Sequence, residues 1–274
     1  MINRPRAVVA STVAVLLAGA MSVFAQGLPT TQPKLLQIYR EQVKAGQAAA
    51  HAKTEAGWPA AFAKVKSPDY YLALTSMTGP QVAWFISPWE SYTAWGKSMA
   101  RDEANAELSA ELQRLSAADA QHIDPLPSLE AMARQELSHG VYPDLNKQRF
   151  WEITIMRVRP GHDDKFEAAA KAYKAMATRS MPNAKWRVYQ VSAGMPGSTY
   201  LIFSSVDSFG QFDAMFTESM AGEKSVTAEE RAVFQKFNTE ALISAETNKY
   251  RLDPAMSYVS PETRASDPAF WSKK

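Results

Sequence analysis

The sequence predicts an α+β protein made of two successive β-α-β-β-α-β units. Three observations carry this. Short blocks of sequence recur in one order along the chain. Runs rich in β-branched and aromatic residues alternate with Ala-rich stretches of helical spacing. Gly and Pro punctuate the junctions. The first block is Val43-Lys-Ala-Gly46, which returns as Val158-Arg-Pro-Gly161, each after an apolar run and before an Ala-rich stretch. The second is Val82–Trp95 against Thr199–Phe212, sharing Ser87/Ser204, Glu90/Asp207, Ser91/Ser208, Tyr92/Phe209 and Trp95/Phe212. The third is Leu115-Ser-Ala-Ala118 against Ile243-Ser-Ala-Glu246, with Asp124-Pro125 and Asp253-Pro254 following. Three blocks in register, with small insertions between them, read as a tandem duplication.

The second copy is the clearer. Phe150–Val158 is a strand and Pro160-Gly161 ends it. Phe166, Ala169, Ala170, Tyr173 and Met176 then fall on one helical face. Trp186–Ser192 and Thr199–Ser205 are the second and third strands, joined by the turn Gly194–Gly197. Asp207 or Ser208 is expected to cap the next helix, because a short oxygen-bearing side chain satisfies its free N–H groups. Phe209, Phe212, Met215 and Phe216 give that helix an apolar face. Thr227-Ala-Glu-Glu230 spells a capping box. Lys249–Val259 is the closing strand, with Pro254 marking an edge or bulge.

The first copy repeats this with wear. Lys34–Val43 is its first strand, and Gln47–Val65 its first helix, disturbed at Gly57–Pro59. Tyr70–Ser76 and Val82–Ser87 are strands, while Trp89–Met99 and Ala104–Ala118 are helical. A closing strand near His122–Leu126 is in doubt because Pro125 and Pro127 lack a donor. The expected organisation is therefore a leader over 1–25, a first unit over 26–123, a connector over 124–149 that is partly helical around Ser128–Leu137, a second unit over 150–260, and a tail over 261–274.

The leader is read from its charge and apolarity. Arg4 and Arg6 precede the 14-residue apolar run Ala7–Ala20, and Val23 and Ala25 sit at the −3 and −1 positions before Gln26. This is the pattern of a secretory signal peptide, too short to span a bilayer comfortably. Export to the periplasm or outside the cell is expected, with no membrane attachment after cleavage. The 274 residues include 30 Lys+Arg and 28 Asp+Glu. Removing Arg4 and Arg6 leaves 28 of each, so the mature chain has no long-range attraction for nucleic acid. The absence of Cys excludes disulfides, a thiolate nucleophile, iron–sulfur clusters and cysteine zinc sites.

A β-α-β-β-α-β unit is the ferredoxin-like split unit. A strand running into Val-x-x-Gly and then an amphipathic helix resembles the dimeric α/β-barrel superfamily. Trp151-Glu-Ile-Thr-Ile-Met-Arg-Val-Arg-Pro-Gly161 most resembles its NIPSNAP-type branch, in which a strand with an early Glu enters a Lys-Pro-Gly turn. The first copy departs from this, with Gln37 for the Glu and Ala45 for the Pro. The resemblance, over roughly residues 34–259, implies two tandem ferredoxin-like units whose antiparallel sheets pack as a pseudo-dimeric α/β barrel. One chain would then supply what relatives build from two, as a monomer or a homodimer. The superfamily includes cofactor-free antibiotic-biosynthesis monooxygenases, haem-dependent chlorite dismutase-like enzymes and stress-responsive proteins, so the fold does not select an activity.

Candidate site residues follow from strand alternation. With Trp151, Ile153 and Ile155 directed at the helices, Glu152, Thr154 and Met156 face a cleft between the two units, and Gln37, Tyr39 and Glu41 are their equivalents. Trp186 joins them as a packing or hydrogen-bonding group. Polar groups on such a face need partners or a ligand. The first functional expectation is a small-molecule-binding protein. The alternative is a cofactor-independent monooxygenase acting on an electron-rich aromatic, with Glu152 or Glu41 as base. A structural or interaction protein with no ligand is the third.

Other chemistry is thinly signalled. His51 and Glu55 are spaced i, i+4 and share a helix face, which suits a metal, but no third ligand is apparent, and no metal or cofactor is assigned. His162-Asp163-Asp164 opens a helix, where acids complement its dipole. His122 falls near the uncertain strand, and His139 in the connector is expected to be exposed. None of the four His matches an axial haem motif, and no Gly-rich phosphate loop or Gly-x-Ser-x-Gly elbow is present.

Overall fold

The computed structural model describes residues 27–272, so the expected leader over 1–25 lies outside the described residues. In chain order the elements are β1 (Leu35–Val43), α1 (Ala48–Glu55), α2 (Gly57–Lys64), β2 (Tyr71–Ser76), β3 (Val82–Trp89), α3 (Tyr92–Glu103), α4 (Ala106–Asp119), β4 (Ile123–Pro125), β5 (Leu129–Ala133), β6 (Phe150–Val158), α5 (Asp163–Ser180), β7 (Arg187–Ala193), β8 (Thr199–Val206), α6 (Gln211–Lys224), α7 (Ala228–Lys236), β9 (Leu242–Tyr258), α8 (Pro261–Ser266) and α9 (Pro268–Trp271).

Eight strands close an antiparallel barrel, following the pairings β1-β3-β2-β9-β6-β8-β7-β5 and back to β1. Within it the two halves carry one strand order, β5-β1-β3-β2 and β9-β6-β8-β7. Each half's last strand crosses to the other half: β9 pairs with β2 and β5 with β7. No sheet edge is left open along these eight strands, which removes the liability of unpaired backbone. The helices lie outside. Among the described residues no helix is long and apolar enough to cross a membrane.

The recurrent Val-x-x-Gly turns have a backbone reason. Gly46 and Gly161 occupy equivalent places after β1 and β6, with φ of 77° and 81°. This left-handed region is open to Gly without a steric penalty. The helix starts also follow local chemistry. The Ser91 side chain accepts from Ala94 N at the start of α3, and Thr227 and Glu230 form the capping box of α7. The expected cap at Asp207 or Ser208 is not made. The α6 helix begins one residue after Gly210, with no side-chain cap.

The organisation differs from the expected one in several places. The closing strand of the first half lies in the predicted connector, as β5 over Leu129–Ala133. The Pro-containing segment before it forms only the three-residue β4 on the end of β1, because Pro125 and Pro127 supply no N–H to a longer ladder. Around Ser128–Leu137 the chain is mainly this strand, with a 3-10 turn at Gln135–Leu137. The second closing strand, β9, begins at Leu242 rather than Lys249 and reaches across both halves. Over residues 261–272 the expected tail carries two short helices, α8 and α9. Trp271, fully buried, packs into the barrel's apolar core together with Leu28 and Val259. Arg149 holds this end in place, 2.6 Å from Asp267 Oδ2 and over the Phe270 ring at 3.9 Å.

Candidate functional site

Alternation along β6 is as the sequence predicts, but its two faces are the reverse of the expected ones. Trp151 and Ile153 point into the barrel and pack with Leu36, Ile38, Trp84, Leu129, Tyr189 and Leu201 from both halves. The space between the halves is therefore filled. A cavity of only about 90 Å³ remains there, lined by residues such as Leu36, Leu74, Trp151 and Phe203. The physical reason is closure. Strands from both halves share one interior, so the large apolar side chains go where no water reaches. Glu152, Thr154 and Met156 consequently point outward, beneath the helices of the second half. Gln37, Tyr39 and Glu41 do the same in the first half.

In the second half the helices do not seal the sheet. A cavity of about 910 Å³ lies between the outer face of β6, β7, β8 and β9 and the helices α5, α6 and α7. It contains four of the seven predicted site residues, Glu152, Thr154, Met156 and Trp186. The α5 helix contributes Phe166, Ala170 and Tyr173, and α6 contributes Phe212, Met215 and Phe216. Glu152 and Lys249 are opposite one another in the β6–β9 register, and Lys249 Nζ donates to Glu152 Oε2 at 2.5 Å. The same ammonium sits 4.2 Å from the Phe212 ring centroid. Thr154 and Thr247 pair their hydroxyls at 2.8 Å on the floor. Trp186 is a wall rather than a donor to a ligand. Its Nε1 donates to the Leu137 carbonyl at 3.0 Å, and its ring meets Tyr173 at 5.2 Å. Burial, with Glu152 and Glu223 nearby, pushes the Tyr173 hydroxyl up. The site is an aromatic chamber with one ion pair and a small set of hydroxyls.

The other three predicted residues lie elsewhere. Gln37 and Tyr39 form a surface pair, with Gln37 Nε2 donating to Tyr39 Oη at 2.7 Å and Trp89 Nε1 donating to Gln37 Oε1 at 3.3 Å. Tyr39 is 49% exposed. Glu41 instead enters a buried polar cluster beneath α1 and α4. His51 and Glu55 come from α1, and Asp119 from the last residue of α4. One ligand-type atom from each of Glu41, His51, Glu55 and Asp119 lies within 4.8 Å of the others. His51 Nδ1 is 3.0 Å from Asp119 Oδ1, and His51 Nε2 is 3.8 Å from Glu41 Oε2. Burial and the nearby charges of Glu41 and Asp119 push the Glu55 carboxyl up to about 9. Burial and Asp119 push Glu41 up to about 7, with His51 opposing.

The remaining histidines line neither the chamber nor the buried cluster. His122 Nδ1 lies 3.0 Å from Gln47 Oε1. His139 is half-buried rather than exposed, with its ring 4.7 Å from Trp186. His162 precedes α5, whose first turn holds Asp163 and Asp164 as predicted. Asp163 also accepts from Tyr200 Oη at 2.6 Å.

Sequence reasoning missed Lys249, Tyr173 and the α6 aromatics as cavity groups, and Asp119 as a partner of His51. Phe212 and Tyr173 carry the same helical spacing as core residues, so periodicity alone cannot separate them. Asp119 is 68 positions from His51, and only the packing of α1 on α4 joins them.

No protein-family model and no curated protein matches the chain. Solved structures do resemble it. A candidate monooxygenase from Fusobacterium nucleatum aligns over 81% of this chain and 93% of its own at 12% identity, with a TM-score of 0.53. A candidate monooxygenase from Lactobacillus acidophilus aligns over 81% and 94% at 7% identity, with a TM-score of 0.49. A chlorite dismutase variant from Candidatus Nitrospira defluvii aligns over 82% and 93% at 8% identity, with a TM-score of 0.47. At such identities the likeness speaks to fold alone. This chain has the ferredoxin-like, dimeric α/β-barrel fold, closed within one polypeptide.

Proposed function

We propose that the protein binds a small, largely aromatic molecule in the chamber under α5 and α6. The observation that carries this is the chamber itself. Its volume of about 910 Å³ is in the range of ligand pockets, and its apolar walls surround the Glu152–Lys249 pair and the Thr154–Thr247 hydroxyls. The aromatic rings of Tyr173, Trp186 and Phe212 favour a flat apolar body, and Lys249 favours a phenolate, carboxylate or carbonyl group on it. A fluorescence titration of the purified chain with a panel of phenolic and quinoid aromatics tests this. Saturable quenching whose midpoint moves about tenfold higher when Lys249 is replaced by Met supports the reading. Linear quenching identical in both proteins counts against it.

A second reading is cofactor-independent oxygenation of such a molecule. Its specific support is that Glu152 faces the chamber as a carboxylate held beside an ammonium, a group able to take a phenolic proton. Oxygen consumption with the bound aromatic would then fall on the order of 10²–10⁴-fold in Glu152→Gln. Unchanged consumption, or none in the parent chain, leaves binding without catalysis.

Three further parts belong to this proposal. The identical strand order of the halves, with the matching Gly46 and Gly161 turns, supports descent by tandem duplication. The run Trp151–Gly161 supports a NIPSNAP-like second copy. The basic, apolar and small-residue order of positions 1–25 supports export. Closure of the barrel within one chain supports a monomer, because each of its eight strands is already paired on both sides within the chain.

A further inference from the structure

We propose that Glu41, His51 and Glu55 hold one divalent transition-metal ion in the first half, with Asp119 orienting the histidine. The site is separate from the chamber of the second half and serves to tie β1, α1 and α4 together.

Glu41 Oε2, His51 Nε2, Glu55 Oε1 and Asp119 Oδ2 are all buried and without a hydrogen-bond partner. His51, Glu55 and Asp119 are only 2–3% exposed. Buried polar atoms are normally paired, so four in one place is a large departure. Three are carboxylate oxygens, and among the described residues no Lys or Arg is ion-paired with any of these three acids. Uncompensated carboxylates in such a setting are costly unless a cation joins them or protons are retained.

The donor set selects the cation. One imidazole and two carboxylates, with no thiolate, suit zinc, iron(II) or manganese rather than copper(I). Ions of this kind sit about 2.0–2.2 Å from N and O ligands, which requires ligand atoms no more than about 4.4 Å apart. The observed span of 4.8 Å closes with small rotations of the two long Glu side chains. His51 has the arrangement of a metal ligand. Nε2 is unpartnered and faces Glu41, while Nδ1 lies 3.0 Å from Asp119 Oδ1. A carboxylate on the far nitrogen fixes the tautomer and ring orientation in such sites. Entry is available beside Glu41, whose side chain is 21% exposed. The helical spacing of His51 and Glu55 places both on one face of α1.

The test is titration of the full chain, stripped with a chelator and returned to pH 7.5, with Zn²⁺ and separately with Mn²⁺. The expected result is one ion per chain, retained through gel filtration, with thermal stability rising as free ion rises. Glu55→Gln should lose at least 100-fold in affinity. Asp119→Asn should lose about 10–100-fold, as outer-shell changes typically do. Glu152→Gln, in the other half, should bind as the parent does. Glu41→Gln, at the more exposed ligand, repeats the ligand-loss test should Glu55→Gln fold poorly. The proposal is overturned if the folded parent binds neither ion at 100 μM. It is equally overturned if the ligand variants bind as the parent does, since the cluster is then held by protons alone.

Discussion

Lys249 and Glu152 face each other across the β6–β9 pair, and their charged ends meet at 2.5 Å on the floor of the second-half chamber. Their side chains are 31% and 29% exposed. Partly wet pairs of this kind contribute little to folding, about 0–1 kcal/mol. Glu152→Gln should therefore leave stability within about 1 kcal/mol, measured by urea denaturation. A loss of several kcal/mol would mean that the pair is a buried structural element and not the polar end of a chamber.

Lys249→Met keeps the length and apolar stem while removing the charge. Ligands with an anionic or carbonyl group should then bind about tenfold more weakly, equivalent to ~1.4 kcal/mol. Aromatics lacking such a group should change little. Calorimetry with matched pairs, such as a phenol acid and its unsubstituted ring, separates the two. Equal losses for both would place the ligand's polar group elsewhere.

Trp271 closes the barrel from the C-terminal side and is fully buried. Trp271→Ala removes a large side chain from a core that cannot easily collapse, and should cost about 3–5 kcal/mol in chemical denaturation. A cost below about 1 kcal/mol would show that the end of the barrel is closed by other side chains.

The buried acids of the first half give the metal-free protein a defined pH dependence. Glu55 in the fold holds its proton up to about pH 9, whereas an unfolded Glu releases it near its ordinary value of 4.5. Between these values the native state binds the additional proton, so stability falls as pH rises. Denaturation midpoints should decline from about pH 5 to pH 9, and Glu55→Gln should flatten much of the slope. A midpoint that rises over this range in the parent chain would contradict the burial of a neutral Glu55.

Much of this organisation is legible in the sequence, for reasons that are local. The Gly46 and Gly161 turns, the Thr227–Glu230 capping box and the break near Gly57 each depend on a few adjacent residues. What resists reading is set by long-range packing. Alternation gives Glu152, Thr154 and Met156 a common face, but the sheet's closure decides which face is inside. Trp151 and Ile153 fit the interior of a barrel as well as the underside of a helix. Likewise His51 and Glu55 announce a shared helix face, yet Glu41 and Asp119 reach them only through the β1, α1 and α4 packing. The folding of residues 261–272 is similarly silent, because Trp271 has no periodic partners in its own short helix.

The chamber under α5 and α6 is proposed to take up a small molecule. Native mass spectrometry of the chain purified from its own host tests it most directly. It should be run beside a denatured control and beside Ala170→Phe, which places a ring in the chamber wall. The predicted result is a non-covalent adduct of one small molecule per chain, either retained from the host or acquired from the aromatic panel, and missing in Ala170→Phe. A bare mass for the parent chain after incubation with that panel, or an adduct undiminished in Ala170→Phe, would contradict it.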